Sequence, residues 1–258
     1  MKIIIRNCNV AELDIPLKYA TKLYNEFAIR HPNAFYLRTR QRGMQNWDGK
    51  IKYITKTGQF KIGLLPSVYK RCIELGIKPI IVDMRQPLPK VSKVVTQIGK
   101  YKLRPEQEKA VKAILSNKLG ETSFQIGVLD YTVNAGKTLI MSALYLSYKK
   151  QLKTLLITND SDWLNQARDE FKQYLPGEDI TFVQGKVLNW SNFTIGMVQS
   201  ISRNMKYYQN ELAKIDMVLI DEADQGGSKQ YQNVITRLFN TRVRIGLSGT
   251  IYMSKLAK

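Results

Sequence analysis

Cysteine and histidine, two residues that often hold metal ions, are scarce in this sequence. Its 258 residues include two cysteines, Cys8 and Cys72, which lie far apart, and one histidine, His31. No group of these residues has the spacing of metal ligands, so we expect no structural zinc. Two distant cysteines are typical of a reducing compartment, and one disulfide between them is the alternative.

Long apolar runs are missing as well. No stretch is long enough to span a bilayer, so we expect no membrane partner. Residues 1–6 (MKIIIR) are typical of a first strand, and they lack the longer apolar segment and small-residue cleavage site of a signal peptide. These absences predict a cytoplasmic protein.

Acidic side chains are too few to balance the basic ones. The 40 Lys and Arg against 21 Asp and Glu give a formal charge of +19. Residues 1–100 hold 19 basic and 6 acidic side chains, a net charge of +13, which leaves +6 for the remainder. The excess indicates a polyanionic partner, and nucleic acid is favoured over an anionic membrane. The alternative is a basic charge that only keeps copies of the protein apart.

A proline-rich segment divides the chain. Pro87 and Pro89 disfavour both helix and central strand, so we place a linker near residues 86–100. Residues 1–90 then form a small basic α+β domain. Its predicted strands are 2–5, 35–40, 51–54 and 79–84, and its predicted helices are 15–29 and 68–75.

Strands and helices alternate in residues 91–258. The predicted strands lie near 124–130, 154–158, 180–184, 193–198, 216–220 and 243–247, and the predicted helices near 105–117, 137–149, 160–174 and 228–239. This alternation predicts an α/β domain with a mainly parallel sheet covered on both faces. Ligands of such sheets bind beyond the carboxyl ends of the strands.

The segment after the first of these strands has the pattern of a phosphate-binding P-loop. Gly136 would let the backbone approach phosphates, Lys137 would reach the β- and γ-phosphates, and Thr138 would place its hydroxyl on Mg²⁺. The first glycine of the general pattern is replaced by Tyr131, so an ordinary strand-to-helix turn is the alternative. The remaining predicted nucleotide-binding residues of the loop are Val133, Asn134 and Ala135.

Two carboxylates follow the apolar strand at residues 217–220. Asp221 would hold Mg²⁺, directly or through water, and Glu222 would activate the attacking water as a general base. An acidic loop that solvates a strand end is the alternative. A P-loop and an acidic strand end within one alternating pattern favour a triphosphatase site, with Lys137, Asp221 and Glu222 as its catalytic residues.

Together these segments resemble the first RecA-like domain of the superfamily 2 helicases. Residues 103–107 (LRPEQ) are similar to the upstream motif in which a glutamine recognises adenine. The resemblance implies adenine binding by Gln107, with Arg104 nearby. It also implies ATP and Mg²⁺ as cofactors and translocation along a nucleic acid as the activity.

Further motifs of that family follow in order. Residues 156–166 resemble motif Ia, and residues 194–200 resemble a later strand and turn that touch nucleic acid, which implies a contact by Gln199. Residues 248–250 resemble motif III, which implies that Ser248, Gly249 and Thr250 couple the ATP state to the nucleic acid.

The letters DEAD at residues 221–224 raise the competing interpretation of a DEAD-box RNA helicase. That family has Ser-Ala-Thr at motif III, whereas residues 248–250 are Ser-Gly-Thr, and its motif Ia also differs from residues 158–163 (TNDSDW). We therefore favour a DNA translocase and keep the RNA helicase as an alternative. A DNA-binding module with a vestigial ATP site, suggested by Tyr131 and Val133, is a third.

The first domain supports the DNA interpretation. Residues 35–38 (FYLR), 46–51 (NWDGKI) and 63–65 (GLL) resemble the front domain of the UvsW-type phage helicases. The resemblance implies branch migration and fork remodelling on branched or duplex DNA, in recombination and repair. It implies the host cytoplasm as the location.

Basic residues are concentrated in the same segment. We expect a β-rich surface that binds duplex phosphates with little recognition of base sequence, and a solvated hairpin is the alternative. Among the interleaved aromatics, Tyr36, Trp47 and Tyr53, we favour Trp47 as a core residue rather than a stacking group. The basic residues are Arg38, Arg40, Arg42, Lys50, Lys52, Lys56 and Lys61.

Superfamily 2 motors use two RecA-like domains, and only the first is recognisable here. The second would supply motifs IV to VI and an arginine finger, which can matter by about 10³–10⁵ in rate. We therefore expect the chain to bind ATP weakly, to turn it over slowly and not to unwind DNA by itself.

Overall fold

The computed structural model describes residues 1–40, 43–91, 93–131, 136–185, 187 and 190–249. The chain divides into two compact units, Met1–Arg85 and Gln86–Lys258. The boundary falls at the start of the proline-rich segment, whereas the sequence analysis places it after residue 90. Within the described residues, no helix is both long enough and apolar enough to cross a bilayer.

The first unit is a mixed α+β structure. Its elements are β1 (Lys2–Ile5), β2 (Val10–Asp14), α1 (Leu17–Glu26), β3 (Ala28–Arg30), α2 (Ala34–Arg40), β4 (Lys50–Lys52), β5 (Gln59–Lys61), α3 (Leu65–Glu74) and β6 (Ile80–Asp83). One sheet has the strand order β5-β2-β1-β6, with β1 antiparallel to β2 and parallel to β6. β3 and β4 form a separate antiparallel pair.

Alternate side chains of the central strand β1 enter the core of the first unit. Ile3 and Ile5 are fully buried, as the two-residue period of a strand requires when one face is covered. Leu23 of α1 is also fully buried, which identifies the face of that helix that points inward. Cys8 and Cys72 are both buried as thiols, and burial raises the pKa of Cys72.

The second unit contains a six-stranded parallel sheet with helices between the strands. Its elements are β7 (Gln97–Ile98), β8 (Tyr101–Lys102), α4 (Pro105–Ser116), β9 (Lys118–Leu119), β10 (Thr122–Ser123), β11 (Ile126–Asp130), α5 (Lys137–Ser147), β12 (Thr154–Thr158), α6 (Ser161–Tyr174), β13 (Ile180–Val183), β14 (Phe193–Met197), α7 (Val198–Arg203), α8 (Met205–Ala213), β15 (Met217–Asp221), α9 (Lys229–Ile235) and β16 (Val243–Ser248). The strand order is β11-β16-β15-β12-β14-β13. The short pairs β7-β8 and β9-β10 lie outside this sheet.

The six-stranded sheet is covered on both faces. Every residue of β12 is buried, which explains its unbroken apolar run. Leu156 lies in the core that contains residues of α4, α5 and α6, whereas Leu155 lies in the core with residues of α7, α8 and α9. The prediction of a RecA-like α/β domain with a mainly parallel, doubly covered sheet is confirmed.

The predicted strand at residues 35–40 is wrong, because this segment forms α2. The Thr39 hydroxyl donates to the carbonyl oxygen of Phe35 at 3.1 Å, a bond to the preceding helical turn. Phe35 and Tyr36 are 81% and 56% exposed. Aromatic residues favour strands when they pack on a pleated surface, and these two have no such surface beneath them.

The remaining differences concern short elements. The helix predicted at residues 15–29 ends at Glu26, and β3 follows it. β2, β5, α7 and α8 have no counterpart among the predicted elements. Each is nine residues or shorter, so its hydrophobic pattern is brief.

Candidate functional site

Five parallel strands end side by side at one edge of the sheet. The last residues of β11, β12, β14, β15 and β16 are Asp130, Thr158, Met197, Asp221 and Ser248. In the strand register, Asp130 lies beside Ser248 and Thr158 lies beside Met197. The predicted phosphate loop, acidic turn and motif III therefore begin at the same edge, as the rule for parallel α/β sheets requires.

Gly136 lies directly before the helix that follows the predicted phosphate loop, at its N-cap position. Its φ is +79°, a left-handed backbone that glycine adopts without strain. A Cβ atom at this position would lie 2.4 Å from Nε2 of Gln107. The backbone therefore favours glycine here, and any side chain would also displace the amide of Gln107. The predicted loop residues Val133, Asn134 and Ala135 lie outside the described residues.

Lys137, the first residue of α5, connects the phosphate-loop helix to the acidic turn. Its Nζ lies 3.5 Å from Oδ1 of Asp221 and 3.1 Å from Oε1 of Glu222. The lysine side chain is 11% exposed, so this is a largely desolvated charge cluster. The structure thus brings together the three residues that the sequence analysis selects as catalytic.

Asp221 is buried at the end of β15. Burial raises the pKa of its carboxyl, and the neighbouring Lys137 ammonium opposes this shift. The Tyr231 hydroxyl donates to the carbonyl oxygen of Asp221 at 3.3 Å and braces the strand end. Thr138, also buried, follows Lys137 directly. A hydroxyl and a carboxylate are oxygen ligands of the kind that Mg²⁺ takes, so the residues fit that ion.

Glu222 has a left-handed backbone, with φ of +51° and ψ of +54°. Such a conformation is strained for a residue with a side chain, and strain of this kind is concentrated at functional sites. The turn is also packed closely against β16, because a Cβ atom on Gly246 would lie 2.5 Å from the Cβ of Ala223. The turn that carries Glu222 therefore has little room to move toward β16.

Gln107 lies within the first turn of α4 and is buried. Its Oε1 accepts a hydrogen bond from the backbone N–H of Arg104 at 2.8 Å, which fixes the amide beside the start of the helix. The same amide lies against Gly136. Arg104 is half-exposed, and its Nε pairs with Glu106 at 2.8 Å. The predicted adenine-binding residues are thus adjacent to the phosphate-loop helix.

The end of β16 is bonded to both neighbouring segments of the site. The Ser248 hydroxyl donates to Oδ1 of Asp224 at 2.9 Å. Its carbonyl oxygen accepts from the N–H of Tyr131 at 2.9 Å. The predicted coupling motif therefore contacts the acidic turn and the start of the phosphate loop. Gly249 follows Ser248, and Thr250 lies outside the described residues.

Gln199 lies at the start of α7, directly after β14. Its Nε2 donates to the carbonyl oxygen of Asn159 at 3.2 Å. The Asn159 side chain in turn donates to Oε1 of Gln225 at 2.5 Å. Gln225 and Tyr231 were not predicted as site residues. Gln225 is marked in the sequence by its place directly after the acidic motif, and Tyr231 has the pattern of an ordinary core residue of a helix.

The predicted DNA-contact residues of the first unit occupy several elements. Arg38 and Arg40 lie on α2, so the prediction of a β-rich surface is wrong for them. Their helical backbone follows from the correction at residues 35–40. The others are distributed as follows: Lys50 and Lys52 on β4, Lys56 in the turn before β5, Lys61 at the end of β5, and Arg42 outside the described residues.

Several of these cations have partners within the unit. Lys52 pairs with Asp48 at 3.2 Å and lies 4.5 Å from the ring centre of Tyr24. The Arg40 guanidinium lies 5.2 Å from the ring centre of Tyr36. By contrast, Arg38, Lys50 and Lys56 are exposed. These exposed side chains can approach a polyanion without breaking an ion pair recorded in the structure.

Trp47 is half-buried in the same region. Its indole N–H donates to the carbonyl oxygen of Lys50 at 3.0 Å, and its ring packs edge-on against His31 at 5.7 Å. The polar atom of the indole is therefore engaged inside the unit. Phe35 and Tyr36 on α2 are exposed instead, and Tyr53 is exposed as well.

Comparison with known proteins assigns a family to most of the second unit. Residues 100–253 match the family model described as "Type III restriction enzyme, res subunit", or ResIII. The match covers the segments around Gln107, Lys137, Asp221 and Ser248. It spans more than half of the chain.

Similar proteins come from viruses. A protein of Acanthamoeba polyphaga mimivirus, named as an ATP-dependent RNA helicase, is 26% identical over 147 residues, which are 57% of this chain and 27% of that protein. The ATP-dependent DNA helicase UvsW of Enterobacteria phage T4 is 24% identical over 227 residues, which are 80% of this chain and 43% of UvsW. The chain thus spans less than half the length of either curated relative.

A solved structure supports the fold of both units. The crystal structure of the UvsW helicase from bacteriophage T4 superimposes with a TM-score of 0.73 and 21% identity, covering 97% of this chain and 93% of that one. A second T4 UvsW structure gives a TM-score of 0.74, covering 97% of this chain and 53% of that one. The resemblance to UvsW-type helicases is thereby confirmed at the level of sequence similarity and fold.

Proposed function

The chain belongs to the ResIII family. On this basis we propose that it contains a motor domain of an ATP-dependent DNA helicase that acts on branched DNA. In this proposal the second unit is the first RecA-like motor domain, and the first unit binds DNA. The observation that carries the proposal is the contact of Lys137 with Asp221 and Glu222 at the N-terminus of α5.

The N-terminus of α5 is the proposed phosphate site. The positive end of the helix dipole and unpaired backbone N–H groups favour an anion there. Phosphate oxygens would compete with Asp221 and Glu222 for the Lys137 ammonium. Gln107 and Arg104 are the proposed adenine-binding residues, since their segment lies against Gly136. Val133, Asn134 and Ala135 complete the proposed loop.

Hydrolysis requires a base and a balance of charge around the phosphates. Glu222 would orient a water molecule and accept its proton, because its carboxylate is held beside Lys137 by the strained turn. Thr138 and Asp221 would hold Mg²⁺, which neutralises phosphate charge when bound. Ser248, Gly249 and Thr250 would couple this site to nucleic acid through the bond between Ser248 and Asp224.

Replacement of Lys137 tests the nucleotide site. We expect Lys137→Ala to weaken the affinity for an ATP analogue by about tenfold or more, because a charge-assisted contact to phosphate is removed. Equilibrium titration with a fluorescent analogue measures it. Lys153→Ala is the matched control, since Lys153 is also a partly buried lysine paired with an acid, Glu211 at 2.6 Å. Equal affinity in Lys137→Ala and the parent would favour the vestigial-site alternative.

DNA is the proposed substrate because of the charge of the first unit, and branched DNA is proposed because of the resemblance to the UvsW-type helicases. Residues 1–85 hold 16 basic and 6 acidic side chains, a net charge of +10, and α2 presents exposed aromatic and basic side chains. Phosphate contacts dominate the affinity of proteins for DNA, and such a surface supplies them without reading base sequence. Within the second unit, Gln199 would contact nucleic acid at the carboxyl edge of the sheet.

An RNA helicase is the second candidate. It is favoured by the name of the mimivirus relative and by the residues Asp221 to Asp224, which spell DEAD. A three-way junction made of DNA and one of RNA, with matched sequence, separate the two candidates. We expect tighter binding and greater ATPase stimulation by the DNA junction. Preference for the RNA junction in both measurements would overturn the choice of DNA.

A further inference from the structure

Side-chain hydrogen bonds join three neighbouring strand ends at the carboxyl edge of the sheet. Asn159, directly after β12, donates its amide to Oε1 of Gln225 in the turn after β15. Gln199, directly after β14, donates its amide to the carbonyl oxygen of Asn159. β14, β12 and β15 are consecutive in the strand order, so these two bonds bridge all three loops.

The bridge reaches the acidic turn through the backbone. The N–H of Gln225 donates to the carbonyl oxygen of Glu222 at 3.0 Å, and its own carbonyl accepts from Ser228 at 2.9 Å. Glu222 is the residue with the left-handed backbone whose carboxylate contacts Lys137. A shift of Gln225 would therefore act on a strained turn, and backbone strain of this kind is concentrated at active sites and switch regions.

The side chain of Gln199 is a second indication that the loops after β12 and β14 can rearrange. Its Oε1 is buried and has no hydrogen-bond partner among the residues that the structure describes. An unpaired buried acceptor destabilises the conformation that contains it. A hydrogen-bond donor of a bound nucleic acid could pair with this oxygen. Such pairing would change the relative stability of loop conformations with and without the bond from Gln199 to Asn159.

We propose that Asn159 and Gln225 are positioning residues that link nucleic acid at the loops after β12 and β14 to the orientation of Glu222. The inference rests on the proposed function, because it takes those loops as nucleic-acid contacts and Glu222 as part of the ATP site. Its consequence is reciprocal coupling: DNA tightens nucleotide binding, and nucleotide tightens DNA binding by the same factor.

The hydrogen bond between Asn159 and Gln225 can be tested with two substitutions, neither of which breaks the bond by itself. In Gln225→Glu, the carboxylate still accepts a hydrogen bond from Asn159. In Asn159→Asp, the Gln225 amide can turn and donate to the new carboxylate. In the double variant, two carboxylates face each other without a donor. The link is therefore kept by each single change and lost only when both are combined, which independent effects cannot produce.

The measurement is the affinity for a fluorescent, non-hydrolysable ATP analogue with and without saturating duplex DNA. We expect DNA to tighten binding by about fivefold or more in the parent and in both single variants. In the double variant the ratio of the two affinities falls to roughly one, while affinity without DNA stays within about twofold of the parent. Gln151→Glu, an exposed position at the amino edge of the sheet, is the charge control and keeps the parent ratio.

Several outcomes would overturn the link. One is a double variant in which DNA tightens binding of the ATP analogue as much as it does in the parent. Another is a single variant in which DNA no longer tightens that binding. The third is a parent whose affinity for the analogue does not change when DNA is added. Loss of affinity without DNA in the double variant would indicate a structural role and also overturns it. All of these leave nucleotide binding by the parent intact. A parent that binds no nucleotide instead overturns the proposed function, and the link with it.

Discussion

At the scale of single residues, Gly136 satisfies two separate constraints. Its left-handed backbone disfavours any side chain by roughly 1–2 kcal/mol, and the Gln107 amide occupies the place of its Cβ atom. Gly177 has the same φ of +79° but nothing within 4 Å of its Cβ position. The chain thus contains two glycines that share the backbone constraint and differ in the steric one.

We therefore expect Gly136→Ala to lower the free energy of unfolding more than Gly177→Ala does. Gly177→Ala should cost about 1–2 kcal/mol from the backbone alone. Gly136→Ala should cost more and should also weaken nucleotide affinity, because Gln107 must move. Urea unfolding and analogue titration measure the two effects. Adding Gln107→Ala to Gly136→Ala should recover part of the stability, and equal costs at both glycines would contradict the steric argument.

At the scale of elements, a polar network ties α5 to the loops before β13 and β14. The Tyr145 hydroxyl donates to Glu178 at 2.8 Å and accepts from the Asn192 amide at 3.1 Å. Lys150, just after α5, pairs with the same carboxylate. The network lies at the amino edge of the sheet, whereas the cluster of Lys137, Asp221 and Glu222 lies at the carboxyl edge. Its role is therefore structural.

Glu178 makes this network sensitive to pH. Burial raises the pKa of its carboxyl, but hydrogen bonds from Lys150 and Tyr145 outweigh burial and hold the pKa below its ordinary 4.5. A carboxyl with a lowered pKa stabilises the fold above its unfolded pKa, and this contribution disappears as pH falls through the folded pKa. We expect Glu178→Gln to lower the unfolding free energy near neutral pH by roughly 1–3 kcal/mol. The difference from the parent should shrink below pH 4.5.

Urea unfolding of both proteins across the acidic range checks this expectation. The control is Glu121→Gln, which removes an exposed glutamate from the turn between β9 and β10. It should leave the unfolding free energy unchanged to within about 0.5 kcal/mol. A Glu178→Gln difference that persists unchanged at low pH would contradict a role for the ionised carboxylate.

The elements that sequence patterns predict well are those whose pattern reflects burial on both sides. β12 and β15 are unbroken apolar runs, and the rule for parallel sheets correctly places Asp221 near Lys137, 84 positions away. The left-handed backbone of Glu222 could not be predicted, because residues other than glycine rarely adopt it and no local sequence pattern marks it here. Residues 35–40 were also beyond prediction, since the aromatic pattern does not reveal that Phe35 has no sheet to cover.

At the scale of the whole molecule, basic charge is concentrated toward the N-terminal part of the sequence. Residues 1–100 carry +13 of the total +19. Exposed cations on α2 and β4, such as Arg38 and Lys50, supply part of this charge, and the ring of Phe35 on α2 is exposed as well. A surface that binds phosphates should respond to salt and be indifferent to base sequence.

Charge reversal on this surface should therefore weaken DNA binding uniformly. We expect Arg38→Glu with Lys50→Glu to reduce affinity for duplexes of unrelated sequence by similar factors. The slope of log affinity against log salt should become shallower by about 0.9 for each phosphate that the protein no longer neutralises. Lys70→Glu on α3, outside the basic cluster, is the matched control and should have a smaller effect on the slope. Because the altered residues lie in the first unit, affinity for the ATP analogue without DNA should stay at the parent value. A weakening confined to one DNA sequence, or an unchanged salt slope, would assign DNA binding to another part of the chain.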